Sequence, residues 1–135
     1  MKENLYDAKK YKEFAMNHTG SGELKVQVSG ANQAFPLEGV IIEVTKEING
    51  EDVTFFKGQT DNSGIIDDII LPTVRAKDDI ESQEDIYFTD YKIVATYPRV
   101  DGKKEYIVSI YDGLKVIQPI RISTINLMNG MNKYE

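Results

Sequence analysis

Apolar and polar positions alternate regularly along this chain, and the period of the alternation changes once. Over residues 1–16 the apolar positions recur at helical spacing, which predicts a short amphipathic helix. These positions are Leu5, Ala8, Tyr11, Phe14 and Ala15. The polar, glycine-bearing segment 17–22 predicts a helix end and a linker. From Glu23 onward the period is two, which is typical of half-buried strands.

Seven segments with this alternation are separated by turn signals. They cover residues 24–28, 40–45, 53–57, 65–71, 91–97, 106–110 and 114–122. Asn49-Gly50 and Asp101-Gly102 predict tight hairpins, and Asp112-Gly113 predicts a turn into the last strand. The pattern predicts an all-β fold, a seven-stranded antiparallel Greek-key sandwich. We assign 1–21 to an N-terminal helical or extended arm with its linker, 22–123 to the sandwich domain and 124–135 to a C-terminal tail.

Four short motifs occur in the order and spacing of a known family. They are Pro36-Leu37-Glu38-Gly39-Val40, Thr60-Asp61-Asn62-Ser63-Gly64, Leu71-Pro72 and Tyr91-Lys92-Ile93. With these motifs, residues 22–123 resemble the carboxypeptidase regulatory-like domains. The resemblance implies a transthyretin-like (prealbumin-like) sandwich. Similar domains occur in clostridial and bacillar proteins of spores and cell walls, so the resemblance also implies such a source.

The chemistry of these motifs is structural. We expect Asp61 to accept hydrogen bonds from the turn amides of Ser63 and Gly64, and Gly64 to supply a positive φ. Pro72 lacks a backbone donor, so we expect it to end its strand. The motifs therefore predict turns and strand ends, and they predict no reactive group.

Composition removes most catalytic chemistries. The chain has no cysteine and one histidine, His18, and its net charge is −6 at pH 7. Thiolate chemistry, zinc sites and histidine-based triads are therefore not expected. Transthyretin-like folds also include a hydroxyisourate hydrolase, but its several histidines and its C-terminal tetrapeptide have no counterpart here. We predict that the chain is not an enzyme and has no catalytic residue, cofactor or metal site.

The same composition bears on partners and location. A net charge of −6 disfavours nucleic acid and anionic membranes as partners. No segment approaches the about 20 apolar residues of a membrane span, and the first residues lack the apolar core of a signal peptide. We therefore expect synthesis in the cytoplasm. The location stays open between a spore surface, an appendage and a phage particle.

Three local features leave alternatives open. The acidic pairs at Asp67-Asp68 and in 78–81 offer oxygen ligands for calcium, or they are solvated charges that keep strand edges apart. Lys25 would be the nucleophile of an adhesin-type isopeptide bond, but its place in the alternation predicts that it faces solvent. Glycan binding by surface tyrosines is the third alternative, and strand tyrosines more often pack across the sheet.

Two functions are compatible with these features. The first is a non-catalytic structural subunit that assembles with copies of itself or with a scaffold protein through the sandwich and the N-terminal arm. Its self-association residues would be Leu5, Tyr11 and Phe14. The second is an accessory module that recognises cell-wall carbohydrate or a protein partner.

Overall fold

The computed structural model of the chain describes residues 8–30, 35–75, 87–98 and 103–122, and for 8–11 it describes the backbone alone. One helix and eight strands lie in these ranges. They are α1 (Ala8–Asn17), β1 (Gly20–Gly30), β2 (Phe35–Pro36), β3 (Ile41–Ile48), β4 (Glu51–Gln59), β5 (Ile65–Thr73), β6 (Thr89–Thr96), β7 (Lys104–Ile110) and β8 (Lys115–Arg121).

The strands form two four-stranded sheets. In the first sheet, β1 is central, with β5 and β2 along one edge and β8 along the other. In the second sheet, the order is β4-β3-β6-β7. Among the described strands every pairing is antiparallel except that of β1 with β8, which is parallel over the register Glu23↔Lys115 to Ser29↔Arg121 and departs from the predicted all-antiparallel sandwich.

The core lies between the inner faces of the two sheets. In β1, buried residues alternate with half-buried or exposed ones along the whole strand. This is the pattern expected when one face of a sheet packs on another sheet. Fully buried members of the core include Leu24, Val26, Val40, Ile42, Val44, Leu71, Ile93, Ile110 and Ile120. Their alternation is the signal on which the sandwich was predicted.

A β-bulge in β4 turns two consecutive aromatic residues inward. Val44 lies opposite Phe56 and Thr45 lies opposite Thr54, so Phe55 is the extra residue. A bulge breaks the period of two, because two residues oppose one on the partner strand. Phe55 is buried and Phe56 packs against the core from the side.

The Thr60–Gly64 turn is a fold element. The Thr60 hydroxyl accepts a bond from the Val40 amide (3.0 Å) and donates one to the Leu37 carbonyl (2.7 Å). Asp61 Oδ1 accepts bonds from the amides of Ser63 (2.8 Å) and Ile65 (2.9 Å). The second amide is thus that of Ile65. The Gly64 amide, which we expected at this carboxylate, binds the Asp61 carbonyl instead.

Several details differ from the sequence prediction. The described residues contain eight strands and not seven, because Phe35–Pro36 pairs with the end of β1. Pro72 does not end its strand, since it lies within β5 opposite Ser21. β1 begins at Gly20, so only His18 and Thr19 separate it from the helix. The fold class itself is confirmed. No helix among the described residues has the length and apolar character to cross a membrane.

Candidate functional site

One end of the sandwich is closed by the last turns of α1. Phe14 is 8% exposed, and its ring meets Phe55 edge-on at a centroid distance of 5.3 Å and Tyr91 at 6.5 Å. Phe55 and Tyr91 also meet edge-on, at 5.2 Å. Edge-to-face geometry is the favoured arrangement of aromatic rings and stabilises beyond the area buried. Phe14 is therefore an aromatic anchor seated in a socket formed by Phe55 and Tyr91.

His18 lies against the outer side of this anchor. Its ring stacks on Phe14 with centroids 3.7 Å apart and an interplanar angle of 9°. Its Nδ1 lies 2.8 Å from the Phe14 carbonyl oxygen, and its backbone amide donates to Ala15 at 3.2 Å. These contacts satisfy carbonyls at the end of the helix. His18 thus fixes the direction in which the arm leaves β1.

The three predicted self-association residues have different positions. Phe14 lies in the socket of its own chain. Leu5 lies outside the described residues, as does the side chain of Tyr11. Their contact with a second copy stays a prediction.

An acidic cluster lies on the outer face of the first sheet. Carboxylate oxygens of Glu23, Asp67 and Asp68 approach within 4.8 Å of one another. The Lys115 ammonium lies 3.0 Å from Asp67 Oδ1 and 3.5 Å from Glu23 Oε2. The cluster is therefore an ion-pair network with its own cation. Glu23 was not foreseen there, because its approach depends on the pairing of β1 with both β5 and β8. Residues 78–81, the other calcium candidate, lie outside the described residues.

The ion pair shifts the titration of both partners. The hydrogen bond from Lys115, followed by the Asp68 backbone amide, lowers the pKa of Asp67 below its ordinary value. The same bond raises the pKa of Lys115. Both side chains are exposed to water, which screens such pairs and keeps their contribution to stability small.

The opposite end of the sandwich carries an exposed aromatic ring between two grooves. Phe35 is 42% exposed and lines both grooves. The first groove, of about 470 Å³, is lined also by Gln27, Ser29 and Ser63. The second, of about 550 Å³, includes Glu38 and Tyr97. Both grooves are largely open to solvent. Phe35 was not predicted as a functional residue, because its segment is too short to show a period.

A third groove, of about 380 Å³, runs over the outer face of the second sheet. Thr45 lies in its floor, and its Oγ1 is the one buried side-chain polar atom without a hydrogen-bond partner among the described residues. Lys92, the cross-strand neighbour of Thr45, reaches Asp52 at 3.3 Å. Since that oxygen has almost no exposed surface, no ligand reaches it while this side chain arrangement holds.

Lys25 lies where the alternation predicted. It is half-buried on the outer face of β1, between the buried residues Leu24 and Val26. The adhesins have a glutamate in the strand that corresponds to β6, where this chain has Ala95-Thr96 and no carboxylate; Ala95 is buried. The described residues around Lys25 therefore do not assemble an isopeptide site.

No protein-family model matches the chain. No curated protein matches it either. The carboxypeptidase regulatory-like assignment thus has no support from sequence comparison, and only its coarser part, the transthyretin-like fold, is established.

Solved structures share the fold. The TIE protein of Bacillus anthracis superposes with a TM-score of 0.50 and 14% identity, over 77% of this chain and 16% of that one. The 5-hydroxyisourate hydrolase of Klebsiella pneumoniae superposes with a TM-score of 0.49 and 16% identity, over 76% of this chain and 90% of that one. The minor pilin of Streptococcus agalactiae superposes with a TM-score of 0.48 and 21% identity, over 77% of this chain and 44% of that one. The chain therefore spans about one sixth of the TIE protein and under half of the pilin.

These similarities show the fold alone, a transthyretin-like β-sandwich. The prediction that the chain is not an enzyme is contradicted, because a hydrolase is among the proteins with this fold. At 16% identity the similarity assigns no reaction to this chain. The prediction drew on missing histidines, which argue against one particular hydrolase and leave other chemistries of the fold open.

Proposed function

We propose that this chain is a structural subunit that assembles, through its sandwich and N-terminal arm, with copies of itself or with a scaffold into a surface, spore or particle structure. The observation that carries the proposal is the seating of Phe14 in the Phe55–Tyr91 socket. A buried aromatic anchor in a pocket is the usual centre of a stable protein contact.

The same contact can form within one chain or between two. The anchor lies on a helix that only two residues, His18 and Thr19, join to β1. Short connections of this kind favour exchange of the connected element between copies. An arm that enters the socket of the next copy makes a head-to-tail contact, which closes into a ring or propagates as a fibre. The proposal therefore predicts a concentration-dependent assembly of the full chain.

Removal of the anchor tests the assembly. The unmodified chain and Phe14→Ala are compared over a range of concentrations by light scattering and electron microscopy, after circular dichroism has shown that both are folded. The unmodified chain should assemble as its concentration rises, and Phe14→Ala should stay monomeric, because its arm has no ring to seat in the socket of the next copy. Met16→Ala is the matched control, since Met16 is 70% exposed on the same helix. An unmodified chain that is monomeric at all concentrations, or equal assembly with and without the Phe14 ring, would contradict the proposal.

A second candidate function is an accessory binding module for cell-wall carbohydrate or a protein partner. The exposed Phe35 ring between two grooves favours it. This candidate does not depend on the arm, since Phe14 and Phe35 lie at opposite ends of the sandwich.

A further inference from the structure

Phe35 has no side chain opposite it in the sheet. It belongs to β2 and pairs with Gly30 at the end of β1, so its cross-strand neighbour is a glycine. In antiparallel sheets an aromatic residue usually packs on the side chain directly opposite. Pro36 follows in the same strand and restricts the backbone of Phe35 to extended conformations. The ring is therefore held at the surface, and any group that covers its exposed part must come from outside the described strands.

The first groove runs across the first sheet from β8 to the Phe35 ring. In the register, Pro119 of β8 lies beside Gln27 of β1, and Ser29 of β1 lies beside Pro36 of β2. All four residues line the groove together with Phe35. The groove is thus apolar at both ends, and the amide and hydroxyl groups between them can pair with the backbone of a bound segment. Such a lining suits an uncharged peptide segment with apolar side chains.

The chain leaves the described structure next to this groove. Ile122 donates its backbone N–H to the Ser29 carbonyl (2.9 Å), and Arg121 and Pro36 are the neighbours of Ser29 on its two sides. Since adjacent strands lie about 4.8 Å apart, the end of β8 is about 10 Å from β2. An extended chain advances about 3.3 Å per residue, so about three residues span this distance. Residues from Ile125 onward can therefore reach the ring.

Residues 123–135 lie outside the described residues, and their sequence matches the groove. The stretch 123–131 has no charged residue and is rich in large apolar side chains. These are Ile125, Leu127, Met128 and Met131. Because the stretch is uncharged, it is repelled neither by Glu38 in the second groove nor by Arg121 beside the first. The tail thus offers the apolar cover that the described strands do not give to Phe35.

The other undescribed segments are less suitable. Residues 31–34 connect β1 to β2 and residues 99–102 connect β6 to β7 at this end, but their apolar residues are two alanines and one valine. Residues 1–7 and 76–86 adjoin α1 and β5 at the opposite end of the sandwich. Among the undescribed segments, only the tail combines a start beside the groove with several large apolar side chains.

We propose that residues 123–131 turn back along the first groove and cover the Phe35 ring of their own chain, with side chains from 125–128 against its face. A tethered segment has a high effective concentration at a site next to its attachment point, which favours it over a free ligand or a second copy. Methionine side chains also make favourable contacts with aromatic rings. The inference rests on neither proposed function, but a carbohydrate or protein partner at Phe35 would have to displace the tail.

Nuclear magnetic resonance of the full, isotope-labelled chain tests the proposal. A methyl group above an aromatic ring resonates upfield, so methyl signals of Ile125, Leu127 or Met128 should be shifted upfield and show NOEs to the Phe35 ring. Phe35→Ala should remove these shifts and speed the amide hydrogen exchange of Leu127 about fivefold. In the reciprocal variant, Leu127→Ser with Met128→Ser, the Phe35 ring signals should move while the amide signals of the strands stay in place.

Phe88 provides the matched control. It is 40% exposed, beside Tyr111 at the opposite end of the sandwich, so Phe88→Ala should leave the tail signals unchanged. Tail methyl signals at ordinary positions without NOEs to Phe35 would overturn the proposal, and so would equal effects of the two alanine variants. A sample that mixes labelled with unlabelled chains separates the sources of the NOEs. NOEs found only between different chains would make the tail of a second copy the occupant and would also overturn the proposal.

Discussion

The two ends of the sandwich use phenylalanine in opposite ways. At the end where β1 begins, Phe14 is 8% exposed and touches three other rings, those of Phe55, Tyr91 and His18. At the end where β1 finishes, Phe35 is 42% exposed and faces Gly30. β1 has 11 residues, so the ends lie about 35 Å apart. The two rings differ in exposure because Phe14 packs against other rings, whereas a glycine lies opposite Phe35.

Only one of the two rings is covered. Phe14 lies on α1, outside the two sheets, and this helix packs its ring into the core. Phe35 has no such cover among the described residues, and its backbone pairing keeps it at the surface. The exposure of Phe35 is therefore set by the fold. The following predictions test this difference between the two ends, from the largest expected effect to the smallest.

Removal of each ring should have very different costs. Phe14→Ala should lower the free energy of unfolding by about 3–4 kcal/mol, because it empties a closed aromatic socket. Phe35→Ala should lower it by less than about 1 kcal/mol. Urea unfolding followed by circular dichroism measures both. Equal losses would mean that Phe35 is as much a part of the core as Phe14, and the comparison would fail.

Gly64 fixes the backbone at the Phe35 end. Its φ is +75°, and a Cβ there would collide with the Val28 carbonyl and lie 3.1 Å from Pro36 Cβ. Gly64→Ala should cost about 2–3 kcal/mol through strain and collision together. Gly113 is the control, since its φ is +77° and a Cβ there meets nothing within 4 Å. Gly113→Ala should cost only about 1 kcal/mol, from strain alone.

Loss of a tyrosine hydroxyl should also cost more stability at the closed end, at Tyr91, than at the Phe35 end, at Tyr97. The Tyr91 hydroxyl donates a buried hydrogen bond to the Pro72 carbonyl. Tyr91→Phe leaves that carbonyl without its partner and should cost about 1–2 kcal/mol. Tyr97 is half-buried beside the Phe35 groove, and Tyr97→Phe should cost less than about 0.5 kcal/mol. Thermal unfolding of the two variants measures the difference, and a reversed order would contradict the assignment of the closed end.

The smallest effect concerns the exposed Asp67–Lys115 pair. The pKa of Asp67 is lower in the folded chain, so its contribution is present above about pH 4 and is lost as the pH falls through the folded-state value. The raised pKa of Lys115 extends the contribution upward until the pH rises through its folded-state value, above about 10.4. Asp67→Asn should slightly lower the urea midpoint at pH 7 in low salt, and the difference should disappear once the pH has fallen below the folded-state pKa of Asp67, which is lower than the ordinary value. A difference that persists in acid would assign the effect to packing.

Sequence reasoning was most successful where one period persisted. The alternation of β1 and β6 predicts their inner faces, and Asn49-Gly50 predicts its turn, where both residues have positive φ. The bulge at Phe55 was missed, because an extra residue appears in a sequence only as two adjacent apolar letters. β2 was missed because two residues cannot display a period.

The candidate sites were less predictable, because each depends on pairings between distant segments. Phe35 is exposed since Gly30 lies opposite it, and Glu23 joins the acidic cluster since β1 pairs with two strands at once. The register of these pairings cannot be read from local alternation. Phe14 was identified as an apolar arm residue, but its socket consists of residues from β4 and β6.

The parallel pairing of β1 with β8 has a mechanical consequence. The chain enters β1 at one end of the sandwich and leaves β8 at the other, and seven register pairs join the two strands. A tensile force applied at the outer ends of these strands acts along the ladder, so the hydrogen bonds are loaded in shear and must break together. A hairpin pulled from its open end would break them one at a time. This domain can therefore carry load along the direction of its chain.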